Sequence, residues 1–237
     1  MYNVTAQSYD RLVILEADMP KDTFTNLPEK KREAITIVLL EEFATREYRS
    51  VSISAIVKKA GIAKGSFYQY FEDKADCYLY LIQLALQEKM DFINQIPPSN
   101  QNLDLFGNLR WMMEAGTKFE FSNPLLAQIS YRAVFEDVPL PEETMTFIRQ
   151  GSRAYFKGQL EQGIAEGLIN QEIDPELGAF VFDAIFTNIG KHLMDQFDIS
   201  PQNLLEGGAS TFASTDSQHM LNQVITILER GFRAAEN

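Results

Sequence analysis

Residues 51–74 read VSISAIVKKAGIAKGSFYQYFEDK, and the spacing of the apolar residues in this stretch decides the fold. Ser52 suits a helix N-cap, and Ile53, Ile56, Val57 and Ala60 recur at the period of a helix that buries one face. Gly61 stops that helix, because glycine most cheaply takes the left-handed backbone at a helix end. A second short helix, about Ala63 to Phe71, follows within three residues. A longer helix precedes both, from about Pro28 to Arg46, with Ile35, Val38, Leu39 and Phe43 in one stripe. Two short helices joined by a tight glycine-containing turn, behind a longer one, form a helix-turn-helix.

The second short helix carries four rings: Phe67, Tyr68, Tyr70 and Phe71. At roughly 100° per residue, Phe67, Tyr70 and Phe71 share one side, while Ser66 and Gln69 occupy the opposite arc. Phe67 and Phe71 are therefore core anchors. The outer arc fits a major groove, with Ser66 and Gln69 towards base edges and Tyr68 and Tyr70 flanking them as phosphate clamps. A phenol is stiff and its hydroxyl donates readily to a phosphate oxygen. Lys64 and Lys74 bracket the helix with positive charge, and Ser52 offers donors at a helix start.

Net charge needs locating before it excludes anything. The whole chain of 237 residues sums to −12. Residues 28–76 carry nine Lys or Arg against eight Asp or Glu, whereas residues 77–237 carry ten against twenty-one. A near-neutral module can meet phosphates even when the acidic remainder dominates the sum.

Outward from this module every periodic segment is helical, so the chain reads as all-α. Helices are expected over about Asp73–Ile96, Leu103–Phe121, Pro124–Glu136, Glu142–Ile169, Pro175–Phe197 and Ser217–Ala235, with a long Gly-, Ser- and Thr-rich loop before the last. A single cysteine, Cys77, excludes an internal disulfide, and it shares no zinc spacing with the two histidines, so no metal is expected. The chain opens without a basic region followed by an apolar core, and no apolar run approaches the roughly 18 residues that span a bilayer. A cytoplasmic protein with no membrane partner is expected.

With these residues in place, VSISAIVKKAGIAKGSFYQYFEDKADCYLYLI (51–82) resembles the DNA-binding signature of TetR/AcrR family transcriptional regulators. The resemblance covers Pro28 to about Gln83 and includes Phe43, Ile56, Ala60, Gly61, Lys64 to Tyr68, Phe71 and Lys74. It implies a three-helix helix-turn-helix DNA-binding head, joined through a fourth helix to a larger helical domain that dimerises and holds a ligand. Carried over by position, Ser52, Tyr68, Tyr70 and Lys74 match backbone-contacting residues, and Ser66 and Gln69 match base-facing ones. Tyr70 departs from the histidine often found there. The sequence from Met19 resembles how one subgroup of the family begins, so Met19 is a candidate start and residues 1–18 an extension; intact mass of the native protein tests this.

Three regions are expected: an N-terminal extension (1–27), the head (28–76) and a ligand-binding and dimerisation domain (77–237). The last two helices, with Phe180, Phe182, Ile185, Leu221, Ile225 and Leu228, suit a homodimer interface, which would set two heads about 34 Å apart on a near-palindromic operator. Trp111, Met112, Phe119, Gln128, Tyr131, Phe135, Phe147 and Tyr155 are candidate lining for an effector pocket. The function expected is a repressor released from its operator by an unidentified small molecule. Two alternatives are a small all-α enzyme retaining the helix-turn-helix as scaffold and a helical protein-interaction module. No histidine-carboxylate pair, phosphate-cradling glycine loop or nucleophile signature favours the enzyme, and no cofactor is expected.

Overall fold

The computed structural model describes residues 20–98, 103–136, 138, 140, 142–197 and 215–235, without the side chains of 142–145, 147–150 and 215. Residues 1–18 and the candidate start at Met19 lie outside the described residues. Ten α-helices follow in order among the described residues. They are α1 (Asp22–Thr25), α2 (Glu29–Thr45), α3 (Ile53–Ala60), α4 (Lys64–Tyr70), α5 (Lys74–Gln95), α6 (Leu105–Ser122), α7 (Pro124–Phe135), α8 (Glu142–Ala165), α9 (Pro175–Gln196) and α10 (Thr215–Phe232). A 3-10 turn, Tyr48–Ser50, lies between α2 and α3. The all-α expectation holds.

The chain divides into two compact units. Within the described residues the first runs to Met90 and takes in Asn123–Met145; the second holds Asp91–Ser122 and the chain from Thr146 onward. The sequence reading placed its boundary after Asp76, but α5 continues through that point without a break.

In the first unit α3 and α4 form the two short arms. Gly61 closes α3 at φ 64° with its left-handed cap, and the Ile62 amide donates to the Val57 carbonyl at 3.0 Å. Glu42 on α2 is buried beside Phe43 and pairs with Lys59 of α3 at 2.5 Å and with Arg46 at 3.3 Å. This carboxylate is held only because both cations reach it from the rim. The start of α5 is capped by its own sequence: Asp73 accepts from the amides of Ala75 and Asp76, and Asp76 accepts from the Glu72 amide at 2.7 Å. Burial pushes the Asp76 carboxyl above its ordinary range. Helix α7 packs along α2. The Tyr78 hydroxyl donates to the Ile129 carbonyl at 3.1 Å, and Arg132 Nε donates to the Ala44 carbonyl at 3.2 Å.

The stretch from residue 20 to residue 27 corrects the reading of 1–27 as an extension. Phe24 of α1 is fully buried, with its ring centroid 5.5 Å from Tyr70, 5.0 Å from Phe71 and 5.4 Å from Tyr80. Those contacts make residues 20–27 part of the head.

The second unit has its own core, centred on Leu109, Phe156, Leu160, Phe182, Leu193 and Leu221. Helix α8 was expected to reach Ile169 and stops at Ala165. Gly167 takes φ 72°, and the amides of Leu168 and Ile169 turn back to the Gly163 carbonyl at 2.9 and 3.1 Å. The extended residues that follow pair with the end of α10: Asn170 donates to the Phe232 carbonyl at 2.9 Å and Ala234 to that of Leu168 at 3.0 Å. That pairing ends α10 at Phe232, short of the expected Ala235. Gly190 on α9 lets the Glu120 carboxylate lie close against the helix, and a Cβ there would make that side chain swing aside.

Replacing Phe24 by Ala removes the ring around which Tyr70, Phe71 and Tyr80 gather. The expected loss is about 3–5 kcal/mol in urea unfolding, and Phe24→Leu should retain most of the stability. A loss under about 1 kcal/mol would show α1 to be an appendage.

Candidate nucleic-acid interface

Helix α4 is seven residues long, too short to persist alone in water, so its faces are set by what it packs against. Phe67 and Phe71 are buried and lie 5.5 Å apart centroid to centroid. Tyr68 is 44% exposed, its ring standing edge-on to Phe67 at 5.5 Å. Gln69 is exposed beside it and Ser66 is half-buried. Lys64 at the start of α4 and Ser52 at the start of α3 are both exposed, and Ser52 makes no side-chain cap bond to the amides of α3. Ser52, Lys64, Ser66, Tyr68 and Gln69 thus present polar groups away from the core on the two short helices.

Two other residues singled out from the sequence, Tyr70 and Lys74, turn their side chains towards the body of the head. Tyr70 is 5% exposed, its ring against Phe24. It shares the buried side with Phe67 and Phe71, as its position around the helix dictates. Lys74 is half-buried, and its ammonium donates to the carbonyls of Tyr48 at 2.9 Å and Val51 at 3.1 Å while sitting 4.4 Å from the Tyr48 ring centroid. Partial burial lowers its pKa from the ordinary value. It braces the 3-10 turn against α5. Burial likewise pushes the Tyr48 phenol up to about 12, with Asp73 adding to the effect.

Candidate effector residues fall in both units. In the second, Met112 and Tyr155 meet: the Tyr155 hydroxyl donates to the Met112 sulfur at 3.2 Å and accepts from the side-chain amide of Asn108 at 3.2 Å. Trp111 donates its indole N–H to the Ile96 carbonyl at 2.7 Å, and Phe119 is buried with its centroid 5.6 Å from that of Phe92. Gln128, Tyr131 and Phe135 lie on α7 in the first unit, with the Tyr131 and Phe135 centroids 4.5 Å apart. The Phe147 side chain lies outside the described residues. Asn108 was missed by the sequence reading. Its signal was a lone amide at an apolar register, three residues after Leu105 and next to Leu109.

A head of this geometry matches a family description, "Bacterial regulatory proteins, tetR family", over residues 38–81, and "Tetracyclin repressor-like, C-terminal domain" matches residues 103–233, more than half of the chain. The chain belongs to the TetR family. A solved TetR family transcriptional regulator from Chloroflexus aurantiacus J-10-FL is 51% identical, covers 92% of this chain and 100% of its own, and superposes with a TM-score of 0.81. The HTH-type transcriptional regulator YhgD of Bacillus subtilis, itself uncharacterized, is 24% identical over 152 residues, 64% of this chain and 78% of YhgD. The fold is also that of Bacillus subtilis FadR solved in complex with stearoyl-CoA, at 20% identity, TM-score 0.61 and coverage of 84% and 98%. This TetR-family chain is therefore a DNA-binding transcriptional regulator with a helix-turn-helix head and a larger helical domain. Among its described residues no helix is long and apolar enough to cross a membrane.

Lys74→Met tests the inward reading of that side chain. It should lower stability by about 1–3 kcal/mol by stranding two carbonyls, and leave the salt dependence of DNA binding unchanged. A salt slope reduced by about 1 would return Lys74 to a phosphate contact.

Proposed function

We propose that this regulator is a cytoplasmic homodimeric repressor that occupies a near-palindromic operator and leaves it when a small molecule binds the larger domain. The observation that carries the DNA-binding half is the division of α4: Phe67, Tyr70 and Phe71 are buried while Tyr68 and Gln69 stand exposed. Tyr68, Ser52 and Lys64 meet phosphates; Ser66 and Gln69 meet base edges.

Apolar exposure supports the dimer. Leu177 and Phe180 on α9 are 62% and 50% exposed, and Ile227 on α10 is 69% exposed, on the two helices whose other faces build the core. A second copy covering them would make a four-helix interface and fix the spacing of the two heads.

Release requires an effector that binds the DNA-incompetent arrangement more tightly than the competent one. Asn108, Met112 and Tyr155 supply a polar group within an apolar setting, which suits an apolar molecule carrying a hydrogen-bonding end. The fold that holds stearoyl-CoA in FadR supports an effector of this kind. Helix α5 runs from the first unit into the second, and α6 of the second leads through Ser122 and Asn123 into α7, which is bonded to α2. A shift of α6 would reach the head by those two covalent routes. The regulator acts by binding, without catalytic activity.

Tyr68→Ala should weaken binding to a selected operator duplex and to a scrambled one alike, and lower the salt slope by about 1, whereas Gln69→Ala should change sequence preference more than affinity. Gel shifts on both duplexes across a salt series measure this; unchanged binding by the tyrosine variant would refute the clamp. In light scattering the wild-type protein should be a dimer at micromolar concentration. Phe180→Asp combined with Ile227→Asp should yield monomers that still unfold cooperatively. A wild-type monomer would overturn the dimer.

A further inference from the structure

The last four carbonyls of any α-helix have no partner within it, and in a seven-residue helix they are more than half of the whole. In α4 they belong to Phe67, Tyr68, Gln69 and Tyr70. The Phe71 amide takes the first at 2.9 Å. The other three are taken by residues nearly fifty positions earlier in the chain. The Lys21 ammonium donates to the Tyr68 carbonyl at 3.1 Å, the Thr23 hydroxyl donates to that of Gln69, and the Lys21 amide donates to that of Tyr70 at 3.0 Å. The Lys21 ammonium also pairs with Glu72 at 2.5 Å, just beyond the helix.

This arrangement does more than close a helix. A cation at the C-terminus lies at the negative end of the helix dipole, where a charge-assisted bond is among the stronger hydrogen bonds. The two carbonyls held by side chains are those of Tyr68 and Gln69, whose own side chains face outward. Buried Phe24 fixes the strap that carries both donors against Tyr70 and Phe71.

We propose that Lys21 and Thr23 are positioning residues for sequence reading. They hold the peptide groups of Tyr68 and Gln69 from behind, so that the Gln69 side chain meets a base edge in one register. This rests on the assignment of Tyr68 and Gln69 to DNA. Neither Lys21 nor Thr23 touches a base; each acts through α4.

The experiment uses the full chain, a duplex selected by the wild-type protein from a random-sequence library, and a scrambled duplex of equal length. Thr23→Val removes a hydroxyl at constant volume, and Thr23→Ser restores it. Lys21→Met removes the ammonium. The ratio of affinities for the two duplexes should fall about fivefold in the valine variant and about tenfold in the methionine variant, with the salt slope kept and the serine variant at the wild-type ratio. A ratio unchanged in both would overturn the proposal. So would equal weakening on both duplexes with the slope down by about 1, because Lys21 would then be a phosphate contact itself. If Lys21→Met does not fold, the valine and serine pair carries the test. Gln69→Ala, measured alongside, separates the two readings. If it keeps the wild-type ratio while Thr23→Val loses it, the assignment of Gln69 fails and the positioning role stands, acting through another side chain of α4.

Discussion

A helix of seven residues cannot hold its shape by itself, and the whole head is organised around holding this one. The interaction responsible is aromatic. Tyr70 and Phe71 meet Phe24 from the preceding strap, Phe71 also meets Tyr80 from α5, and Phe67 packs on Phe71, with neighbouring centroids 5.0–5.7 Å apart. Such rings bury large areas and lock at tilted or edge-on angles, so they fix orientation as well as energy. Once that side is committed, the outward direction of Tyr68 and Gln69 follows from the helical repeat alone.

The second layer of support is polar and lies at the edges of this packing. Lys74 braces the 3-10 turn, Asp73 and Asp76 cap α5, and Glu42 ties α2 to α3 through Lys59. Each of these charges is near or below the surface and each has named partners, as burial demands. Lys74 shows how a cation in a DNA-binding head can brace its own backbone.

The long helices were legible because each repeats its apolar period several times. The two short arms were legible because Ser52 and Gly61 punctuate them. What escaped was barely one turn long or depended on a distant partner. Helix α1 is four residues, and nothing in DTFT announces that Phe24 is a core residue. The end of α8 was set by Gly167, whose left-handed turn is stabilised by pairing with the far end of the chain. Glu42 and Asn108 are polar residues at apolar registers, and each has a partner on another helix, Lys59 and Tyr155. The candidate DNA interface was half legible for the same reason. Angular position placed Phe67, Tyr68, Gln69 and Phe71 correctly and left Tyr70 at the margin, where only the location of Phe24 settles it. Of the candidate effector residues, Met112 and Tyr155 lie against each other in the second unit, whereas nothing in the sequence announces that α7 keeps company with the head.

That companionship bears on how transferable the head is. Cut out as residues 28–76, it would lose Phe24 and the donors that finish α4, and it would lose α7, whose Ile129 carbonyl and Arg132 side chain bond to α5 and α2. A chimera that exchanges reading specificity between two such regulators has to carry the strap from residue 20 and supply a surface equivalent to α7. The head is a unit in space assembled from two separate stretches of chain, and it will not transplant as one continuous cassette.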